Sequence, residues 1–188
     1  MKCDDVDGND LYRAQHECGH GLIACGFGGR LVKVDIAERG GKRGVASYSL
    51  GSVGRPYYRT AGDKWFREMF ISLAGEAATL LLPGYLGDDY DWSSDKATAE
   101  RCAQKLLFYC RAFEDAPDES EVSEYLQSQL KRVRSVLEKE HVKATLDVVA
   151  KELVEKREMS GEEFHDMARS ALDHLERWLP GFGFELPQ

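Results

Sequence analysis

The sequence is poor in the features that mark membrane, nucleic-acid and nucleotide proteins. Its apolar runs stay well short of the roughly 20 residues that cross a bilayer, so no membrane span is expected. Basic residues are the minority: 25 Lys and Arg stand against 33 Asp and Glu, a net charge of −8. That deficit argues against a nucleic-acid partner and against docking on an anionic membrane, both of which favour a positive surface. The opening MKCDDVDGND is acidic and polar, unlike a signal peptide. Five cysteines (Cys3, Cys18, Cys25, Cys102, Cys110) form no CxxC pair. An odd number without an export signal fits reduced thiols in a cytoplasm, most of them small buried core groups. No G-x-x-x-x-G-K-[ST] loop occurs; GFGGR and RGGKRG lack that spacing and read as turns. Internal repeats and low-complexity segments are also missing.

What is present is helical periodicity. The first helix is expected from Asn9 or Asp10 to Cys25, stopped by the glycines that follow. LVKVDI and GVASYSL, joined by ERGGKRG, have the composition of a β-hairpin. Apolar residues at helical spacing predict a second helix from Lys64 to Leu82, ended by Pro83 and Gly84. A third helix should run from Asp95 to about Phe113, capped by Ser93 or Ser94. Further helices are expected over 120–140, 141–157 and 161–179, with an apolar stripe through Val122, Leu126, Leu130, Val133 and Leu137 that Val142, Leu146, Val149 and Leu153 continue. Ser160 and Glu163 have the form of a capping box. The fold class is mainly α, of the α+β kind, with a small β-hairpin or sheet. One domain is expected over 1–188, divided into a core over about 9–113 and a C-terminal helical part over about 118–180.

The chemistry concentrates in the first helix, LYRAQHECGHGLIACGFGG. His16 and His20 lie four residues apart and so share one face. Two imidazoles so placed can bind one zinc ion, and Glu17 can reach a water activated by that metal. The competing description is an amphipathic helix that carries two surface histidines. Gly19 and Gly21 flank His20; each costs about 1 kcal/mol in a helix interior, which suggests that another segment passes close by.

A catalytic zinc usually takes three protein ligands. His141, His165 and His174 lie far along the chain, on helices that read as packing or solvent faces. Glu76 on the second helix is one candidate for the third ligand. The aspartates Asp88, Asp89, Asp91 and Asp95, crowded before the third helix, are others. Of these carboxylates, Asp88, Asp91 and Glu76 are also the ones expected to orient a ligand histidine.

Several segments resemble the FtsH-type zinc metallopeptidases. HECGHGLIA is similar to the HEAGHALVA helix of that family, ISLAGEAATLLL to its LLGGRAAEEL helix, and DWSSDKATAERCAQKL to its GASNDLERATEIARRM segment. LVEKREMSGEEF resembles the close of the domain, so the likeness runs in order from about Tyr12 to Phe164. The resemblance implies a helical, zincin-like peptidase domain. It implies zinc held by His16, His20 and Asp95, with Glu17 as general base, and it leaves Glu76 and Asp91 as alternative third ligands. It places the substrate-pairing edge strand at Val45, Ala46, Ser47, Tyr48 and Ser49. The family also carries an ATP-driven unfolding ring, for which this sequence holds no nucleotide motif, and Glu76 stands where the family has arginine. The activity implied is hydrolysis of flexible or unfolded polypeptides, independent of ATP. A non-catalytic zinc-binding module or adaptor of the same fold is the alternative. A homo-oligomer, or a separate unfoldase chain as partner, is left open.

Overall fold

The computed structural model describes residues 8–37, 44–49, 61–84, 93–111 and 115–179. Within them lie helices α1 (Gly8–Gly26), α2 (Ala61–Thr79), α3 (Ser93–Cys110), α4 (Glu119–Leu137), α5 (Glu140–Lys156) and α6 (Gly161–Trp178). Three short strands, β1 (Arg30–Asp35), β2 (Val45–Ser49) and β3 (Glu158–Ser160), form one antiparallel sheet in the order β2-β1-β3. The protein is mainly helical with a small sheet, as the periodicity predicts.

Helix α1 is the centre of this arrangement, packed against α2, α5, α6 and β1. The sequence suggests only a diffuse apolar face for it. The structure supplies the reason: every residue from Arg13 to Phe27 is buried, so no solvent face exists to make a contrast. Gly19 sets the approach of α2. A Cβ there would lie 2.5 Å from the carbonyl oxygen of Ala74 and 2.6 Å from the Cβ of Ala78, contacts that backbone atoms cannot relieve. Gly21 likewise faces the ring of Phe164 on α6. Both glycines therefore mark close approaches, as their helical cost suggests.

The C-terminus of α1 closes on glycine. Gly28 is left-handed (φ 80°), its N–H donates to Cys25 O, and the N–H of Gly29 donates to Ala24 O. This pair of bonds satisfies the last carbonyls of the helix and turns the chain into β1. Phe27, Phe66 and Phe70 pack around the same end, with ring centroids 4.7 to 6.4 Å apart. Each aromatic pair adds about 0.5–1.5 kcal/mol beyond area burial, which pins the end of α1 to α2.

The hairpin strands pair as expected, Arg30 opposite Ser49 and Asp35 opposite Val45, with a bulge between Leu31 and Lys33 that turns Val32 outward. Most of the connecting ERGGKRG lies outside the described residues. Strand β3 has no counterpart in the expectations. Three residues, Glu-Met-Ser, offer no periodicity to detect. Their pairing arises because left-handed Arg157 (φ 69°) ends α5 and delivers the chain directly beside β1. Lys33 reinforces that edge, bonding Asp35 at 3.0 Å and Glu158 at 3.3 Å. Helix α2 begins three residues earlier than expected, and α3 stops at Cys110. Capping boxes start α4 (Asp118 with Glu121) and α6 (Ser160 with Glu163). The second was legible in the sequence. Buried side chains from all six helices and from β1 and β3 join one hydrophobic cluster.

Candidate metal centre

Helical spacing stacks His16 and His20 one turn apart on α1, their rings nearly perpendicular at 84°. Both are buried, 2% and 6% exposed, which removes the description of them as surface histidines. Their Nε2 atoms lie 3.0 Å apart. Asp95, in the first turn of α3, brings Oδ2 to 3.0 Å from His16 Nε2 and 3.2 Å from His20 Nε2. The three atoms thus form a nearly equilateral triangle. Ligands about 2.1 Å from a tetrahedral ion stand about 3.4 Å apart, so little movement would be needed to coordinate one. Among the described residues these three side chains form the group that could hold a metal ion.

The surroundings orient the donors. The Nδ1–H of His20 donates to the carbonyl oxygen of Ile71 at 2.6 Å, which leaves its Nε2 lone pair for the centre. Gly75, one turn further along α2, makes room for the rings. A Cβ at that position would stand 2.5 Å from both Cε1 and Nε2 of His16 and 2.6 Å from His20 Nε2. The cradle therefore depends on a missing side chain. Gly75 is less conspicuous in the sequence than its charged neighbour Glu76. The available signal was a glycine in the interior of an apolar helix.

Burial pulls the His16 imidazole down to about 4, and the hydrogen bond to Asp95 only partly opposes it. Burial acts the same way on His20, but the hydrogen bond and charge of Asp95, the charge of Glu17 and the Ile71 carbonyl outweigh it and hold that imidazole above its usual value. Burial would raise the Asp95 carboxyl, yet its two histidine hydrogen bonds hold it well below the usual carboxylate range. The contacts among Asp95 Oδ2 and the two Nε2 atoms are those a metal ion would replace, and the ligands must be deprotonated to bind one.

Glu17 follows His16 and is 5% exposed. Its carboxylate lies against Gly44, the residue before β2, where a Cβ would meet Oε1 at 2.7 Å. Residues 45–49, expected as an edge strand, form β2, which is an outer strand of the sheet. Glu17 therefore reaches the head of an edge strand while its charge still acts on His20. Nothing in the local sequence announces the contact with Gly44.

Two alternative ligands fare differently. Glu76 is not part of the convergent group: one residue past Gly75, about 100° further round α2, it lines a cavity with residues of α3 and α4. Asp91, like Asp88 and Asp89, lies outside the described residues. Cys18, between the two histidines in sequence, is fully buried in the core. Burial, with the charge of Glu17 adding, raises its thiol far above the usual range, so it stays protonated. Burial likewise pushes Cys25 and Cys102 to about 11.

No family model matches the chain, and no curated protein matches its sequence. Two imidazole nitrogens and one carboxylate oxygen converge closely enough to hold a metal ion. No helix among the described residues is long and apolar enough to cross a membrane.

Proposed function

We propose that the protein is a zinc-dependent metallopeptidase of the FtsH type that cleaves flexible or unfolded polypeptides. One observation carries this reading: His16, His20 and Asp95 converge, and the carboxylate of Glu17, near enough for its charge to act on His20, lies against the residue that opens edge strand β2. His16 Nε2, His20 Nε2 and Asp95 Oδ2 would hold the ion. When bound, zinc supplies a Lewis acid that polarises a carbonyl and brings the pKa of a water to about 7.

The chain's own residues do the rest. Strand β2 aligns an extended peptide through backbone hydrogen bonds, a mode that is tolerant of side chains and requires an unfolded substrate. Glu17 takes the proton of the attacking water on a carboxylate oxygen and returns it to the leaving amide nitrogen. The buried position of Glu17 excludes bulk water from that transfer. The Ile71 carbonyl keeps His20 in the tautomer that presents Nε2.

Incubation of the zinc-loaded protein with denatured casein and a library of internally quenched peptides tests the proposal. Cleavage is expected, stopped by a chelator and restored by zinc. A fully zinc-loaded protein that cleaves none of them would be a metal-binding module instead.

A further inference from the structure

Beside the metal centre, α2, α3 and α4 diverge around a cavity of about 680 Å³. It begins close to the ligands. Ser72 and Glu76 in its wall flank Gly75 within one turn, and Lys96 follows Asp95 directly. Leu126 and Leu130 contribute apolar surface from α4, while Glu76, Glu100 and Glu119 supply three carboxyl groups against the single ammonium of Lys96. Volumes of about 300–1,000 Å³ are typical of ligand pockets. Apolar walls with an excess of carboxylates match a group that is a hydrocarbon stem ending in a cation.

Glu76 is the telling member. Among the described residues its carboxylate has neither a hydrogen bond nor an ion-pair contact, although Lys96 is near enough to influence it. Burial pushes its carboxyl up to about 7, with Lys96 only partly opposing. A half-buried acid without a partner is costly, and a cation entering the cavity would provide one.

We propose that this cavity binds an alkyl-ammonium or guanidinium group against Glu76 and Glu119. Resting on the peptidase reading, that group is a lysine or arginine side chain of the polypeptide substrate, close to the bond being cut. Side-chain tolerance along β2 is then supplemented by one position that selects for positive charge. The groups sharing the cavity with Glu76 are Lys96 and Glu100 from α3 and Glu119 from α4. Because the cation pairs with the ionised form of Glu76, its binding strengthens as the pH rises through about 7.

The test is an NMR titration of the full chain, with and without zinc, and it needs no catalysis. The probes are Nα-acetyl-lysine and Nα-acetyl-arginine methylamides, the norleucine analogue as a neutral isostere, and 1,4-diaminobutane as a free amine. The lysine and arginine probes should shift the amide signals of residues 72–76 and 96–100 and bind about tenfold tighter than norleucine. Glu76→Gln should remove most of that preference and the gain between about pH 6 and about pH 8. Glu119→Gln, on the facing helix, should weaken binding without removing the pH dependence. Equal binding of lysine and norleucine probes, or binding unchanged in both variants, would overturn the proposal. Tighter binding of diaminobutane than of either amino-acid probe would overturn the assignment to a substrate side chain. Absence of peptide cleavage, by contrast, would contradict the peptidase reading and leave these shifts unaffected.

Discussion

Gly75→Ala is expected to weaken zinc binding by at least about 100-fold while leaving every metal donor in place. Alanine in a helix interior is ordinarily favourable over glycine by about 1 kcal/mol, so local propensity alone predicts a more stable protein. The site predicts the reverse. The added methyl would meet His16 Cε1 and Nε2 at 2.5 Å and His20 Nε2 at 2.6 Å, well inside contact distance. The rings cannot swing away freely, because His20 is tied to Ile71 O and both imidazoles are enclosed by α1 and α2. Overpacking of this kind costs about 1–3 kcal/mol, which cancels or exceeds the propensity gain. Disturbing groups that merely orient ligands costs 10- to 100-fold in metal affinity, and displacing the ligands themselves should cost more. Competition with a chromogenic chelator measures the affinity, and thermal unfolding measures the stability. Zinc binding as tight as in the wild type would mean that the rings do not converge beside Gly75.

Glu17→Gln is expected to have the opposite profile. The amide fills the same volume beside Gly44 but cannot accept the proton of a water. Hydrolysis should fall by about 100- to 10,000-fold, the usual contribution of a positioned general base. Zinc content should remain that of the wild type, since Glu17 is not among the three convergent donors. The measurement is kcat/KM on a quenched peptide together with metal analysis of the same sample. Full activity in this variant would eliminate Glu17 as the base and with it the mechanism proposed here.

The two variants also separate what could be seen in the sequence from what could not. The histidine pair and Glu17 were legible, because helix geometry alone brings residues four apart onto one face. The long helices were legible for the same reason, since their apolar stripes repeat at helical spacing. Asp95 was not legible from its surroundings. An acid in the first turn of a helix ordinarily serves the helix dipole. Its tie to residues 75 and 79 positions earlier exists only in the fold, and it came into view through the family resemblance. The wall position of Glu76 was not legible either, because the phase of α2 that puts it about 100° round from Gly75 and into the cavity lining exists only in the fold. Gly75 and Gly44 carry no functional atoms at all. Their importance is the space they leave, and it appears only when another segment occupies that space.

The burial of α1 follows the same logic. Arg13, Gln15, His16, Glu17 and His20 dilute its apolar pattern, yet all are buried. Buried polar groups need partners, and some of these are found across the fold: His20 on Ile71, His16 on Asp95, Gln15 on Asp147 of α5. A polar central helix is costly as packing and informative about function.

The most direct test of the account is the metal content of the purified protein, compared with its His20→Ala and Asp95→Ala variants after equilibration with zinc. The account predicts about one zinc ion per wild-type chain, lost on dialysis in both variants because two donors hold the ion too weakly. A wild-type protein that takes up no zinc, or variants that keep it, would contradict the assignment of His16, His20 and Asp95 as a metal centre.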